Sequence, residues 1–134
     1  MLNKLNKKSR AGFTLVEIMI VVAIIALLAA IAVPGFLRAR KRSQASKVLN
    51  DLRLIDSAVD QYAIENNKKA NDVVSTAAWS QYMKGGTELF KSGAHPVYGG
   101  YGSQTVDVLP IVPTAAFNDL SDVAPSTFWA PYYR

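Results

Sequence analysis

Apolar and polar positions follow three different rhythms along this chain, and each predicts a different kind of element. From Phe13 to Leu37 the residues read FTLVEIMIVVAIIALLAAIAVPGFL, an unbroken apolar run in which Glu17 carries the only formal charge. As a helix this run would be about 37 Å long at roughly 1.5 Å per residue, enough to cross a hydrocarbon core of about 30 Å. From Leu37 to about Asn66 the apolar residues become periodic. Ala45, Val48, Leu49, Leu52, Ile55, Val59 and Tyr62 recur at three- and four-residue steps, with Asp51, Asp56, Asp60 and Glu65 at polar positions between them. That spacing predicts an amphipathic helix continuing the first. No Gly or Pro interrupts Arg38–Glu65, and Asn66-Asn67-Lys68-Lys69 offers a left-handed cap and cations at the helix end.

The third rhythm, from Lys69 to Arg134, is short and mixed. Ser75 or Thr76 can cap a short helix that carries Trp79, Tyr82 and Met83 and stops at Gly85-Gly86. Short strands are predicted around Pro96–Tyr101 and Thr105–Leu109, with Gly99-Gly100 or Gly102-Ser103 as turns. Pro110 and Pro113 exclude a long central strand there. The closing STFWAPYYR supplies either a last edge strand or an aromatic plug against the long helix. The fold class is therefore α+β: a long N-terminal helix, then a small antiparallel sheet. Four sections follow: a polar leader over 1–12, an apolar helix over 13–36, its amphipathic continuation over 37–67, and a small globular head over 68–134. Proline at position 34, followed by Gly35, removes one helical hydrogen bond, to the Ala30 carbonyl. A bend there and a mere kink at the membrane boundary are both open readings.

Charge sharpens this picture. The chain of 134 residues carries a formal charge of +5, but Lys4, Lys7, Lys8 and Arg10 all lie in the leader, which contains no acid. Beyond residue 12, eleven basic residues face ten acidic ones, and Arg38, Arg40, Lys41 and Arg42 form a collar just after the apolar run. Basic clusters that flank an apolar span, around a nearly neutral remainder, argue against nucleic acid as a partner. Anchoring at lipid headgroups is the ordinary role of such a collar; contact with acids of a neighbouring copy is another. With no cysteine, neither a disulfide framework nor a thiolate metal site exists.

An unpaired carboxylate in the membrane costs on the order of 2.5–3.5 kcal/mol. Upstream of Glu17 stands KKSRAG, and a cut after Gly12 would free an α-amine on Phe13, one helical turn from that carboxylate. KKSRAG followed by FTLVEIMIVVAIIALLAAIAVPGF resembles the prepilin leader and first helix of type IV filament subunits, the type IV pilins and the pseudopilins of type II secretion. The resemblance covers residues 7–40. It implies a pilin-like fold, cutting between Gly12 and Phe13 by a prepilin peptidase, and methylation of the Phe13 amine. It also implies pairing of Glu17 with the N-terminal amine of a neighbouring subunit, and assembly on a membrane platform with other pilin-like subunits. The bilayer would hold the helix before assembly, with the N-terminus inside and the head outside. Four basic residues on each side of the span give no charge bias, so orientation rests on the resemblance.

Two departures matter. Major type IV pilins generally close a C-terminal loop with a disulfide, which this chain lacks, so the resemblance leans to the pseudopilin side. Some pseudopilins hold that loop with calcium instead. Asn118-Asp119-Leu120-Ser121-Asp122 offers oxygen ligands, with Asp119 and Asp122 as the calcium candidates, although the spacing is not that of an EF-hand and a solvated turn is the commoner reading. The other departure is Ala26, where many filament subunits carry a helix-weakening glycine. Any melting of the helix would then rely on Pro34-Gly35.

The remaining chemistry is sparse. His95 is the single histidine and reads as a loop residue. No nucleophile elbow, P-loop or paired-acid spacing is present, which argues against an enzyme. Trp79, Tyr82, Phe90, Phe117, Phe128 and Trp129 are expected in the core of the head. Tyr98, Tyr101, Tyr132 and Tyr133 are candidates for a contact between subunits. Two rival functions remain. One is a secreted protein with an ordinary signal peptide, cut after Ala30-Ile31-Ala32. The other is a single-span anchor that presents a small interaction domain without polymerising.

Overall fold

The computed structural model describes residues 12–133, so the leader predicted over 1–12 lies outside the described residues except for Gly12. One helix dominates: α1, Leu15–Glu65, passes through Pro34 without a break in its assignment. Its end is the asparagine cap that the sequence predicts. Asn67 takes a left-handed φ of 50°, and the Lys68 amide donates to the Ala63 carbonyl at 2.9 Å, the six-to-one bond of a Schellman turn. The chain divides at Leu37–Arg38 into an N-terminal unit and a head.

Within the head, α1 is followed by β1 (Val73–Val74), α2 (Thr76–Trp79), a 3₁₀ turn over Ser80–Tyr82 and α3 (Glu88–Ser92). Next come β2 (Ala94–His95), β3 (Gly99–Gly100), β4 (Gln104–Thr105), α4 (Thr114–Asp119) and a final 3₁₀ turn over Ser126–Trp129. The strands form two antiparallel pairs. Val73 pairs with Thr105 and Val74 with Gln104, while Ala94 pairs with Gly100 and His95 with Gly99. The architecture is α+β, a long helix followed by a small antiparallel sheet region.

Strand positions differ from the sequence reading for identifiable reasons. The amides of Val97 and Tyr98 both donate to His95 Nδ1, at 3.2 and 3.4 Å, so the chain turns at 96–98 and Gly99-Gly100 becomes strand instead of turn. His95 is thus a buried strand residue rather than a loop residue. Asp107, with a φ of 62°, turns the chain directly after β4 and cuts short the strand expected to run to Leu109. Ser75 stands at the N-cap of α2 but makes no side-chain cap bond; Thr87 does cap α3, accepting from the Phe90 amide at 3.2 Å. Gly93 ends α3 at a φ of 62°, where a Cβ would lie 2.2 Å from Thr76 Cγ2, so both conformation and space demand glycine there.

Two core clusters lie along successive turns of α1. Ala45, Val48 and Leu52 pack with Val112, Ala116, Leu120, Ala124, Trp129 and Tyr132. Ile55, Ala58, Val59 and Ala63 pack with Val74, Trp79, Met83, Leu89 and Val106. Tyr101 packs against both. The closing STFWAPYYR is therefore the plug and not the strand. Trp129 is fully buried and its indole Nε1 donates to the Ala124 carbonyl at 3.1 Å, while the Val112 amide donates to the Tyr132 carbonyl at 3.0 Å. Of the aromatics expected in the core, Phe90 is instead exposed.

Candidate functional site

The N-terminal unit is built around one polar constellation. Glu17 lies in the first turn of α1, and its Oε2 accepts from the Thr14 amide at 2.8 Å and from the Thr14 hydroxyl at 2.9 Å. In return the Glu17 amide donates to Thr14 Oγ1 at 3.2 Å. This is a reciprocal capping box, which satisfies helix-end donors that otherwise have no partner. Thr14 escaped the sequence reading, although T-x-x-E over residues 14–17 is its direct signature. Gly12 and Phe13 precede the helix; a Cβ built on Gly12 meets nothing within 4 Å, and Phe13 is 85 % exposed.

No side chain of this unit covers the apolar run. Every residue from Phe13 to Leu37 is exposed, and even the least exposed large one, Ile18, shows 48 % of its surface. Bare apolar surface on this scale demands lipid or another protein. α1 is long and apolar enough to cross a membrane. Gly35 sits within α1 with no positive φ and open space around a built Cβ, so neither sterics nor conformation requires glycine. What glycine does supply is a weaker helix, by about 1 kcal/mol relative to alanine.

In the head, the turn after α4 is fastened by contacts from Lys41 and Tyr98. Lys41 Nζ donates to the Asp119 carbonyl at 2.9 Å and to Asp122 Oδ1 at 3.1 Å. Asp119 Oδ2 accepts from the Tyr98 hydroxyl at 2.8 Å, and the Asn118 carbonyl accepts from Ser121 Oγ at 3.0 Å. Burial and the Asp119 carboxylate push the Tyr98 phenol up to about 12. Among the described residues no three His, Asp or Glu side chains lie together as metal ligands.

The prokaryotic N-terminal methylation motif matches residues 7–33. Type II secretion system core protein G of Aeromonas hydrophila is 31% identical over 64 residues, which are 48% of this chain and 45% of that protein. Type IV major pilin protein PilA of Myxococcus xanthus is 41% identical over 66 residues, 49% of this chain and 30% of that protein. A fimbrial protein of Pseudomonas aeruginosa is 37% identical over 83 residues, 60% of this chain and 51% of that protein. Over its N-terminal half this chain is similar to type IV pilin, fimbrial and type II secretion core proteins, and it carries their methylation motif. It spans about half the length, or less, of the curated relatives it matches. No solved structure matches it.

These relatives are named as a core protein of a secretion system, a major pilin and a fimbrial protein. A long apolar helix at the N-terminus, joined to the methylation motif, fits a membrane-anchored pilin. The tyrosines offered as a subunit contact are mostly elsewhere. Tyr132 is core, and Tyr98 and Tyr101 are half-buried with their hydroxyls on Asp119 and Asp51; only Tyr133 is exposed, stacked on Phe117 at 4.7 Å between ring centroids. Asp51, read from the sequence as a polar-face residue, is 6 % exposed and accepts from the Tyr101 hydroxyl at 3.1 Å.

Asp51 and His95 give the head a pH dependence of definite sign. Burial lowers the His95 value below 6.5, against a smaller opposing pull from Asp51 and with a push from Lys47 in the same direction as burial. The unfolded chain therefore takes up this proton first, and stability falls as pH drops through 6.5. Protonation would also turn Nδ1 into a donor and break both amide bonds of the 96–98 turn. Burial raises Asp51, partly offset by the Tyr101 hydroxyl, so this carboxyl gains stability on protonation, in the lower window from its raised value towards 3.8. The stability of the head is expected to fall as pH drops below 6.5, by at most about 1.4 kcal/mol per pH unit, and the melting temperature to fall with it. His95→Asn, which retains an acceptor for the turn, should flatten the upper part of that profile. A wild-type melting temperature that does not fall as pH drops below 6.5 would contradict the assignment.

Proposed function

We propose that this chain is a structural subunit of a type IV pilus or a type II secretion pseudopilus. In this reading a prepilin peptidase cuts between Gly12 and Phe13 and methylates the new amine. The subunit then polymerises through its N-terminal helix with other pilin-like subunits on a membrane assembly platform. Before assembly the helix resides in the bilayer, N-terminus in the cytoplasm and head on the outer side. The observation that carries this is a lone acid, Glu17, at the start of an apolar helical run that is exposed at every position to Leu37. A bare apolar helix packs equally well against lipid or against its own kind, and so can pass from one to the other. A buried carboxylate–ammonium pair is worth forming only in the correct register, because desolvation of both charges is offset only when they meet.

Thr14 gives the carboxylate a partner within its own chain while the helix is alone. The amine of a neighbour then adds a charge that Thr14 cannot supply. Pro34 and Gly35 are proposed as the place where the helix yields during this transfer, since one hydrogen bond is missing and the residue beside it weakens the helix. The absence of cysteine supports the pseudopilin side of the proposal.

Mass determination of the mature N-terminus tests the reading. A chain beginning at methylated Phe13 is expected. A chain beginning at Val33 would instead make it a secreted protein with an ordinary signal peptide, and an uncut chain would make it a plain anchor. Gly12→Val should block the cut and leave the leader in place, because a branched side chain at that position obstructs a narrow proteolytic cleft that glycine passes.

A further inference from the structure

From the geometry of the turn after α4 we infer that Lys41 is the head's own built-in cation, holding by a tethered ammonium the turn that contains the calcium candidates Asp119 and Asp122. Calcium requires six to eight oxygens at 2.3–2.6 Å, with carboxylates free to ligate. Here four oxygens of 118–122 are already engaged in another way. The Asp119 carbonyl and Asp122 Oδ1 both accept from Lys41 Nζ, the Asp119 carboxylate accepts from Tyr98, and the Asn118 carbonyl accepts from Ser121. A divalent ion at this turn would have to displace a positive charge already resting 2.9 and 3.1 Å from two of its candidate ligands. The donor set fits an ammonium, which needs only a few acceptors, and does not fit calcium.

The position of Lys41 makes the contact structural. It stands on α1 four residues, about one helical turn, before Ala45, the first buried residue of the head core, and reaches across 78 and 81 residues of sequence. On the far side, Leu120 and Ala124 of the same turn are fully buried in that core. The ammonium therefore fastens the loop to the helix at the edge of the packed cluster in a chain that has no cysteine to do so. The basic collar is accordingly not uniform: Lys41 is committed to the head, whereas Arg38, Arg40 and Arg42 are exposed.

The test uses the full chain in detergent micelles, with thermal unfolding followed by tryptophan fluorescence. The wild-type melting temperature should be the same in millimolar calcium chloride and in EDTA. Lys41→Met, which keeps the alkyl stem and removes the charge, should melt about 2–6 °C lower, in the range expected for a partly exposed ion pair with an added carbonyl bond in a head of this size. Lys41→Arg should recover part of that loss. The inference is overturned if calcium raises the wild-type melting temperature by several degrees, or if Lys41→Met melts with the wild type. Neither outcome depends on whether the chain polymerises, so failure here leaves the filament reading untouched.

Discussion

Glu17→Ala should leave cutting and membrane insertion intact and reduce the sheared filament fraction by about two orders of magnitude or more. Removing one partner of a buried ion pair costs about 3–5 kcal/mol, because the remaining charge stays buried without compensation, and each 1.4 kcal/mol is tenfold in an association constant. Insertion of the lone helix moves the other way, since the variant no longer places a carboxylate in the membrane at about 2.5–3.5 kcal/mol. The expected signature is therefore an anchored, processed and abundant subunit that fails to assemble. The capping box provides the control. Glu17→Gln preserves the reciprocal bonding with Thr14, since glutamine serves at this capping position as well as glutamate, but it has no charge for an ammonium. If pairing is the role of the residue, Gln fails as Ala does. If Gln assembles as the wild type does at native expression, the carboxylate is only a helix cap and the register argument is wrong.

How far the sequence carries the fold depends on the range of the interactions that set each element. The amphipathic half of α1 is legible because its apolar spacing is local, and the buried face contains Ala45, Val48, Leu52, Ile55 and Val59 as the period requires. The Asn67 cap is legible for the same reason. The strands are not, because each spans only two residues and its ends are set by single side chains. His95 captures two amides to place one turn, and Asp107 adopts a left-handed conformation to place another. Neither event leaves a periodic trace. Asp51 was misassigned for a third reason. A carboxylate on a buried helix face becomes intelligible only with its partner, and Tyr101 lies fifty residues away. The candidate site divides in the same way: the lone charge of Glu17 is visible at once, its cap by Thr14 is readable from T-x-x-E, and the commitment of Lys41 to Asp119 and Asp122 needs the fold.

Trp129→Ala is expected to destabilise the head by about 3–5 kcal/mol, the range for removing a large aromatic from a packed core. The cost has two sources. The indole is fully buried against the cluster that includes Ala45, Val48 and Leu52 of α1, so its loss leaves a cavity that rigid helix neighbours close only in part. Its Nε1 is also the donor to the Ala124 carbonyl, which would be left buried and unpartnered. With total stabilities of about 5–15 kcal/mol for such domains, one substitution removes a large share of what holds the C-terminal segment, which has no cysteine to secure it. Trp129→Phe keeps most of the ring contact with Phe128 and should cost less than Ala while still losing the carbonyl bond. Urea unfolding of the full chain in detergent reads this through Trp79, the one tryptophan then remaining, which is itself fully buried in the other cluster. The midpoint should drop strongly in Ala and moderately in Phe, with the slope unchanged if the head unfolds as one unit. A midpoint for Ala equal to the wild type would mean that the last ten residues do not fasten the head at all. A drop that Phe fully restores would assign the effect to ring volume and leave the Ala124 bond without weight.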